Sequence, residues 1–165
     1  IPIDSWKSFK WSSLGYSLSA KICNDSGLYH LWVLKQDDVK VMSVDECLQV
    51  ITLRTTTKDS LFSLSFVYAS CSYTRIRDLW RKIGQLCGPI NGNWVIVVDF
   101  NTVLKPDQRM GTGFSRMAAA NFSHYLDSCD LTEVPIAGAS FTWGRFTTNG
   151  QKAIKLDRCF YQISD

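Results

Sequence analysis

No apolar run in this 165-residue sequence approaches the roughly 20 residues that a membrane-spanning helix needs. Stretches such as Trp94-Val95-Ile96-Val97-Val98 stop at five. Proline is scarce at four residues and glycine numbers ten, while 45% of the chain is hydrophobic and 13% aromatic. That composition excludes a disordered or low-complexity chain. Histidine is nearly absent, with only His30 and His124, and neither lies at zinc-site spacing from a cysteine. The six cysteines (Cys23, Cys47, Cys71, Cys87, Cys129 and Cys159) form no C-x-x-C pair. They are expected to be reduced, mostly buried thiols of an intracellular protein, nuclear or cytoplasmic, with no disulfide-linked partner. A dominant charge sign is lacking too. The net charge is +3, with 11 basic against 8 acidic residues up to position 90 and 7 against 7 beyond it. Such a balance permits a nucleic-acid partner without arguing for one, because phosphate binding depends on clustered cations.

What is present is enough for one domain. The chain starts at Ile1 with no basic and apolar leader, and the expectation is a partial domain over residues 1–165 cut from a longer chain. Asp4 as N-cap, followed by Trp6, Phe9 and Trp11 and stopped by Gly15, predicts a short helix. Strands are predicted at Tyr16–Ile22, Leu28–Leu34, Val39–Val44, Leu48–Arg54 and Leu61–Ala69. Polar turns separate the first four, at Asn24-Asp25-Ser26-Gly27, Gln36-Asp37-Asp38 and Asp45-Glu46. Ile76, Leu79, Trp80, Ile83 and Leu86 recur at helical spacing before Gly88-Pro89 and predict a helix over 74–87. A second helix is expected over Ser115–Cys129, with Phe122, Leu126 and Cys129 inward. Trp94–Val98 reads as a strand buried on both faces, and short strands are expected near Ser140–Trp143 and Ile154–Phe160. Many strands with two or three helices make an α+β layered sandwich.

A carboxylate and a carboxamide, Asp99 and Asn101, emerge where the apolar strand ends. Strand ends present catalytic groups on a rigid base, although Asp and Asn there also serve as plain turn formers. The order Phe66-Val67-Tyr68-Ala69, Arg77-Asp78-Leu79-Trp80, Trp94–Val98, Asp99-Phe100-Asn101, Ser140-Phe141-Thr142-Trp143, Leu156-Asp157-Arg158 resembles the endonuclease/exonuclease/phosphatase (DNase I-like) superfamily. It is most similar to the endonuclease domains of plant LINE-type non-LTR retroelements.

The resemblance implies a four-layer α/β/β/α sandwich, truncated at both ends, and Mg²⁺-dependent (or Mn²⁺-dependent) hydrolysis of DNA. It also implies a reverse transcriptase domain in a longer parent polyprotein. Asp99 would activate water and touch the metal, Asn101 and Tyr68 would steady the phosphoryl group, and Asp157 would orient a catalytic histidine. Thr142, Trp143 and Arg158 would lie on the substrate side. The family's metal-binding glutamate would precede Ile1, so weak or no turnover is expected of this fragment. A decayed or domesticated remnant that only folds or binds a partner is the competing reading, and a phosphatase for a small substrate a third.

Acidic pairs at Asp37-Asp38 and Asp45-Glu46 read as solvated turns, and Arg75, Arg77, Arg81 and Lys82 as a salt-bridged helix surface. Trp6, Trp11, Trp80, Trp94 and Phe141 read as core aromatics.

Overall fold

The computed structural model describes residues 11–23, 29–36, 38–47, 49–56, 60–88, 90, 93–148 and 150–163. Five strands come first: β1 (Tyr16–Cys23), β2 (Tyr29–Gln36), β3 (Val41–Cys47), β4 (Val50–Thr56) and β5 (Leu61–Tyr68). Helix α1 (Tyr73–Cys87) then leads to β6 (Asn93–Asp99), β7 (Arg109–Met110) and helix α2 (Arg116–Ser128). The chain closes with β8 (Thr132–Glu133), β9 (Trp143–Thr147), β10 (Gly150–Ile154) and β11 (Asp157–Gln162).

Three sheets form, β1-β2, β7-β10-β9 and a six-stranded sheet in the order β3-β4-β5-β6-β11-β8. Every pairing is antiparallel except β5 with β6, which α1 joins as a crossover. Both helices pack on one face of the large sheet. Ile76, Leu79 and Ile83 of α1 and Phe122 and Leu126 of α2 meet Val67, Trp94, Ile96, Val98 and Phe160 there. The α2 boundaries follow its caps: the Ser115 hydroxyl accepts from the Ala118 amide at 3.2 Å, and the helix stops before Cys129. Between the helices the Trp80 ring lies 4.8 Å from Phe100, 5.1 Å from Phe122 and 4.6 Å from Tyr125. Of the aromatics expected in the core, Trp80 packs against it and Trp94 is fully buried, whereas Trp11 and Phe141 are only partly buried.

On the opposite face the β1-β2 pair covers β4 and part of β5, with Ala20, Ile22 and Val33 against Ile51 and Leu53. The α+β sandwich class is therefore as expected, and three layers of it are seen among the described residues: helices, large sheet and β1-β2.

The strand at 94–98 is not buried on both faces. Trp94, Ile96 and Val98 are buried beneath the helices, but Val97 on the other face is 48% exposed. The β1-β2 layer lies against β3, β4 and β5, and on that face of β6 Val97 stays exposed while Val95 and Asp99 are half-buried. Cysteine burial also departs from expectation. Of the five cysteines whose side chains are described, all free thiols, only Cys129 is fully buried, whereas Cys71 is exposed on the loop before α1. Asp45 and Glu46 lie inside β3 rather than at a turn. Of the predicted first helix, Trp11–Leu14 forms a 3-10 turn ended by Gly15 at φ +75°. Asp4, Trp6 and Phe9 fall outside the described residues, as do Asn24–Gly27 and Asp37. Arg81 pairs with Asp78 at 2.8 Å on the α1 surface, the solvated role expected of it. No helix among the described residues is long and apolar enough to cross a membrane.

Beneath the helices the large sheet also holds a polar contact. The Trp94 indole N–H donates to the Ser65 hydroxyl at 2.9 Å, and Ser65 shares a 2.8 Å hydrogen bond with the Thr52 hydroxyl, all three residues being buried. Ser65→Ala leaves the indole N–H without its acceptor, which costs about 1–3 kcal/mol. A urea midpoint shift equivalent to under half the lower bound would show that the network is not needed.

Candidate active site

Register assembles the site. Parallel pairing sets Tyr68 of β5 beside Asp99 of β6, and antiparallel pairing sets Asp157 of β11 on the other side of Asp99. The three residues form one cross-strand row on the sheet face away from the helices, at the end where β5 and β6 finish and β11 begins. Just beyond, the chain is fixed by its own backbone, the Ala69 amide donating to the Asp99 carbonyl at 2.8 Å.

Asn101 sits at φ +50°, a left-handed conformation that Asn tolerates better than most residues. Its amide N–H donates to Asp99 Oδ1 at 2.8 Å, and its side-chain Nδ2 donates to the Ala69 carbonyl at 2.5 Å. One carboxylate oxygen of Asp99 is thus tied to a turn. One amide hydrogen and the oxygen of Asn101 are left for other partners.

A cleft of about 520 Å³ opens here. Tyr68, Asp99 and Asn101 line it together with Tyr73, Arg109, Ser115 and Trp143. Of the expected site residues, Tyr68, Asp99, Asn101 and Trp143 line the cleft, whereas Asp157, beside Asp99 in the row, does not. Thr142 acts one step behind it: its hydroxyl accepts from the Leu156 and Asp157 amides, both at 3.0 Å, and so fixes the start of β11.

Arg158 does not belong to the substrate side. Strand alternation turns it to the helix face, where it is 2% exposed. Its guanidinium donates to Glu133 at 2.9 and 3.0 Å and to Gln108 Oε1 at 2.6 Å. His124 is exposed on α2, away from this cleft.

Sequence reasoning missed Arg109, Tyr73 and Ser115 as cleft residues. A signal existed for the first in Met110-Gly111-Thr112-Gly113, whose two glycines adopt φ +90° and +96°. The β9-β10 hairpin carrying Trp143 was also missed, although Asn149-Gly150 is a strong hairpin dipeptide.

Burial pushes the Asp99 carboxyl up from its usual range, the Asn101 N–H opposes this, and the negative Asp157 adds to it. A folded carboxyl that holds its proton to higher pH loses stability as pH rises through the window above about 4, the unfolded value. Asp99→Asn is therefore expected to melt higher than the parent chain at pH 7. The gap should close as pH falls toward about 4. Thermal melts followed by circular dichroism at both pH values measure it, and an equal or reversed gap at pH 7 would count against the assignment.

Carboxylate oxygens suit a hard divalent cation. Asp99 and Asp157 supply them from neighbouring strands, and no group of three or more His, Cys, Asp or Glu gathers among the described residues. With only Asp99 of the two lining the cleft, an ion such as Mg²⁺ would have to take most of its oxygens from water and phosphate.

Solved structures share this architecture. The endonuclease domain of TRAS1, a telomere-specific non-LTR retrotransposon, superposes with a TM-score of 0.72 at 12% identity, over 88% of this chain and 66% of that one. D. rerio TDP2 complexed with a single-strand DNA product gives 0.64 at 9% identity, over 100% and 69%. ANGEL2, a 2',3'-cyclic phosphatase in complex with adenosine-2',3'-vanadate, gives 0.64 at 11% identity, over 98% and 68%. The chain has the DNase I-like fold. At these identities the likeness is one of fold, and the chain spans about two thirds of the length of each of these DNase I-like structures. No protein-family model matches the sequence, and no curated protein does.

Proposed function

We propose that the chain is the phosphodiester-hydrolysing part of a DNA endonuclease domain of non-LTR retroelement origin, similar to plant LINE-type elements. The cross-strand row Tyr68, Asp99, Asp157, of which Tyr68 and Asp99 line the cleft, carries this reading. It is supported by fold likeness to a retrotransposon endonuclease domain and to a TDP2 structure holding a DNA product.

In this reading Asp99 accepts the proton of the attacking water through the carboxylate oxygen not tied to Asn101. Tyr68 and the free amide hydrogen of Asn101 donate to phosphoryl oxygens as charge develops on them. Asp99 and Asp157 would hold Mg²⁺ or Mn²⁺, which as a Lewis acid would polarise the phosphoryl group. Asp157 would also orient a histidine from outside this chain. A reverse transcriptase domain is the partner expected in the parent polyprotein.

A non-catalytic remnant is the second reading. It is favoured by one observation, the lack of histidine and of any carboxylate besides Asp99 among the described residues lining the cleft. Nicking of supercoiled plasmid separates the two. Nicking that requires Mg²⁺, stops in EDTA and is lost in Asp99→Asn supports hydrolysis. A folded chain that nicks nothing supports the remnant.

A further inference from the structure

Among the described residues, Arg109 is the one cation lining the cleft that Asp99 also lines. The two come from different sheets. Asp99 ends β6 of the large sheet, whereas Arg109 begins β7, where it pairs with Ile154 of β10. The Arg109 Nε donates to the Thr112 carbonyl at 2.8 Å, closing a small loop over three residues. A Cβ placed on Gly113 would come within 3.0 Å of a terminal guanidinium nitrogen, and the φ of +96° there disfavours any other residue. Glycine thus makes the room that the guanidinium occupies. No carboxylate pairs with Arg109 among the described residues. A half-buried guanidinium is therefore held in place at one nitrogen and left with its two-nitrogen fork unpaired. Such a fork matches the oxygens of phosphate.

We infer that Arg109 seats a backbone phosphate neighbouring the one addressed by Asp99, Asn101 and Tyr68, so that the cleft selects a polynucleotide strand over an isolated phosphomonoester or cyclic phosphate. The inference rests on the proposed endonuclease reading. A strand lying in the cleft bridges the two sheets, its scissile diester over the row of β5, β6 and β11 and its next phosphate on β7. Arg109 is in this sense a specificity-determining residue.

The test is binding rather than turnover. Fluorescence anisotropy of a labelled DNA duplex is titrated with the full chain in EDTA, over salt from about 50 to 200 mM. Arg109→Gln is expected to weaken binding roughly tenfold or more. The slope of log affinity against log salt should also fall in magnitude by about 0.9, the value of one phosphate contact. Arg81→Gln, on the far surface of α1, should leave the slope as it is. Arg109→Lys keeps the charge but loses the fork and its hold on Thr112, so the slope is retained while affinity falls several-fold. If Arg109→Gln does not fold by circular dichroism, the lysine variant carries the test by itself. A lysine variant that binds as tightly as the parent chain, or a folded glutamine variant with an unchanged slope, overturns the assignment of Arg109 and leaves the endonuclease reading standing. A parent chain that binds no duplex even at the lowest salt overturns both.

Discussion

Glu133→Ala is expected to lower the unfolding free energy by about 3–5 kcal/mol, the usual cost of removing one partner from a buried ion pair. For a chain of this length that is a fall in Tm on the order of 10 °C. The size follows from the asymmetry of the pair: the Arg158 side chain is 0% exposed and that of Glu133 25%. Taking a guanidinium out of water is so unfavourable that burial pulls the Arg158 pKa down against the opposing influence of Glu133. Once Glu133 is gone, Arg158 keeps Gln108 Oε1 and a long 3.5 Å contact to the Lys155 carbonyl, and its Nε has no partner among the described residues even in the parent chain. Lys155, which donates to Glu133 at 2.7 Å, loses its partner as well. Adding Arg158→Met removes the stranded charge and should recover most of the loss. A single variant that melts within about 2 °C of the parent, a shift worth under 1 kcal/mol, would show that water enters and screens the site. The effect should also reach the cleft. Gln108 Oε1 accepts from Arg158 and from the Leu104 amide at 2.9 Å, so it anchors the loop that delivers Arg109.

Asp99→Asn should reduce plasmid nicking at least a hundredfold, because losing a positioned general base costs about 10²–10⁴ in rate. The substitution is close to isosteric. Its oxygen can still accept from the Asn101 amide, so the turn survives and the loss is one of charge. The same variant gains stability near neutral pH, for the burial reason given above, and the paired outcome is diagnostic. Loss of nicking with a raised Tm identifies a carboxylate kept for chemistry at the expense of folding. Loss of nicking with a lowered Tm would identify Asp99 as a structural turn former. Retained nicking would remove Asp99 from the mechanism.

Much of the scaffold was legible because local rules wrote it. The α1 stripe of Ile76, Leu79 and Ile83 is buried as its spacing predicts, and Ser115 and Cys129 bound α2 as expected. Asp99 and Asn101 do emerge from a strand end into a cleft. Their alignment with Tyr68 and Asp157 was not open to pattern reading, since it depends on which strands pair, in which direction and in what register. Arg158 shows the reverse case. Period-two alternation places it opposite Asp157, on the buried face, but a motif read as a unit put both residues on one side. The exposure of Val97 on β6 was hidden for another reason: five apolar residues in a row look alike whether one layer or two cover them.

The order of strands across the large sheet differs from their order along the chain. β6 pairs with β5 through a helical crossover, yet its other edge waits for β11, some 60 residues later. During synthesis the helices and five strands of that sheet are made while one side of β6 remains a row of unpaired amides and carbonyls. Such an edge is a template for a second chain. Closing it requires a long-range pairing, the slow kind of folding event. Chains interrupted before Asp157 should therefore collect in aggregates, whereas β11, made after the strand it joins, turns that edge into an interior.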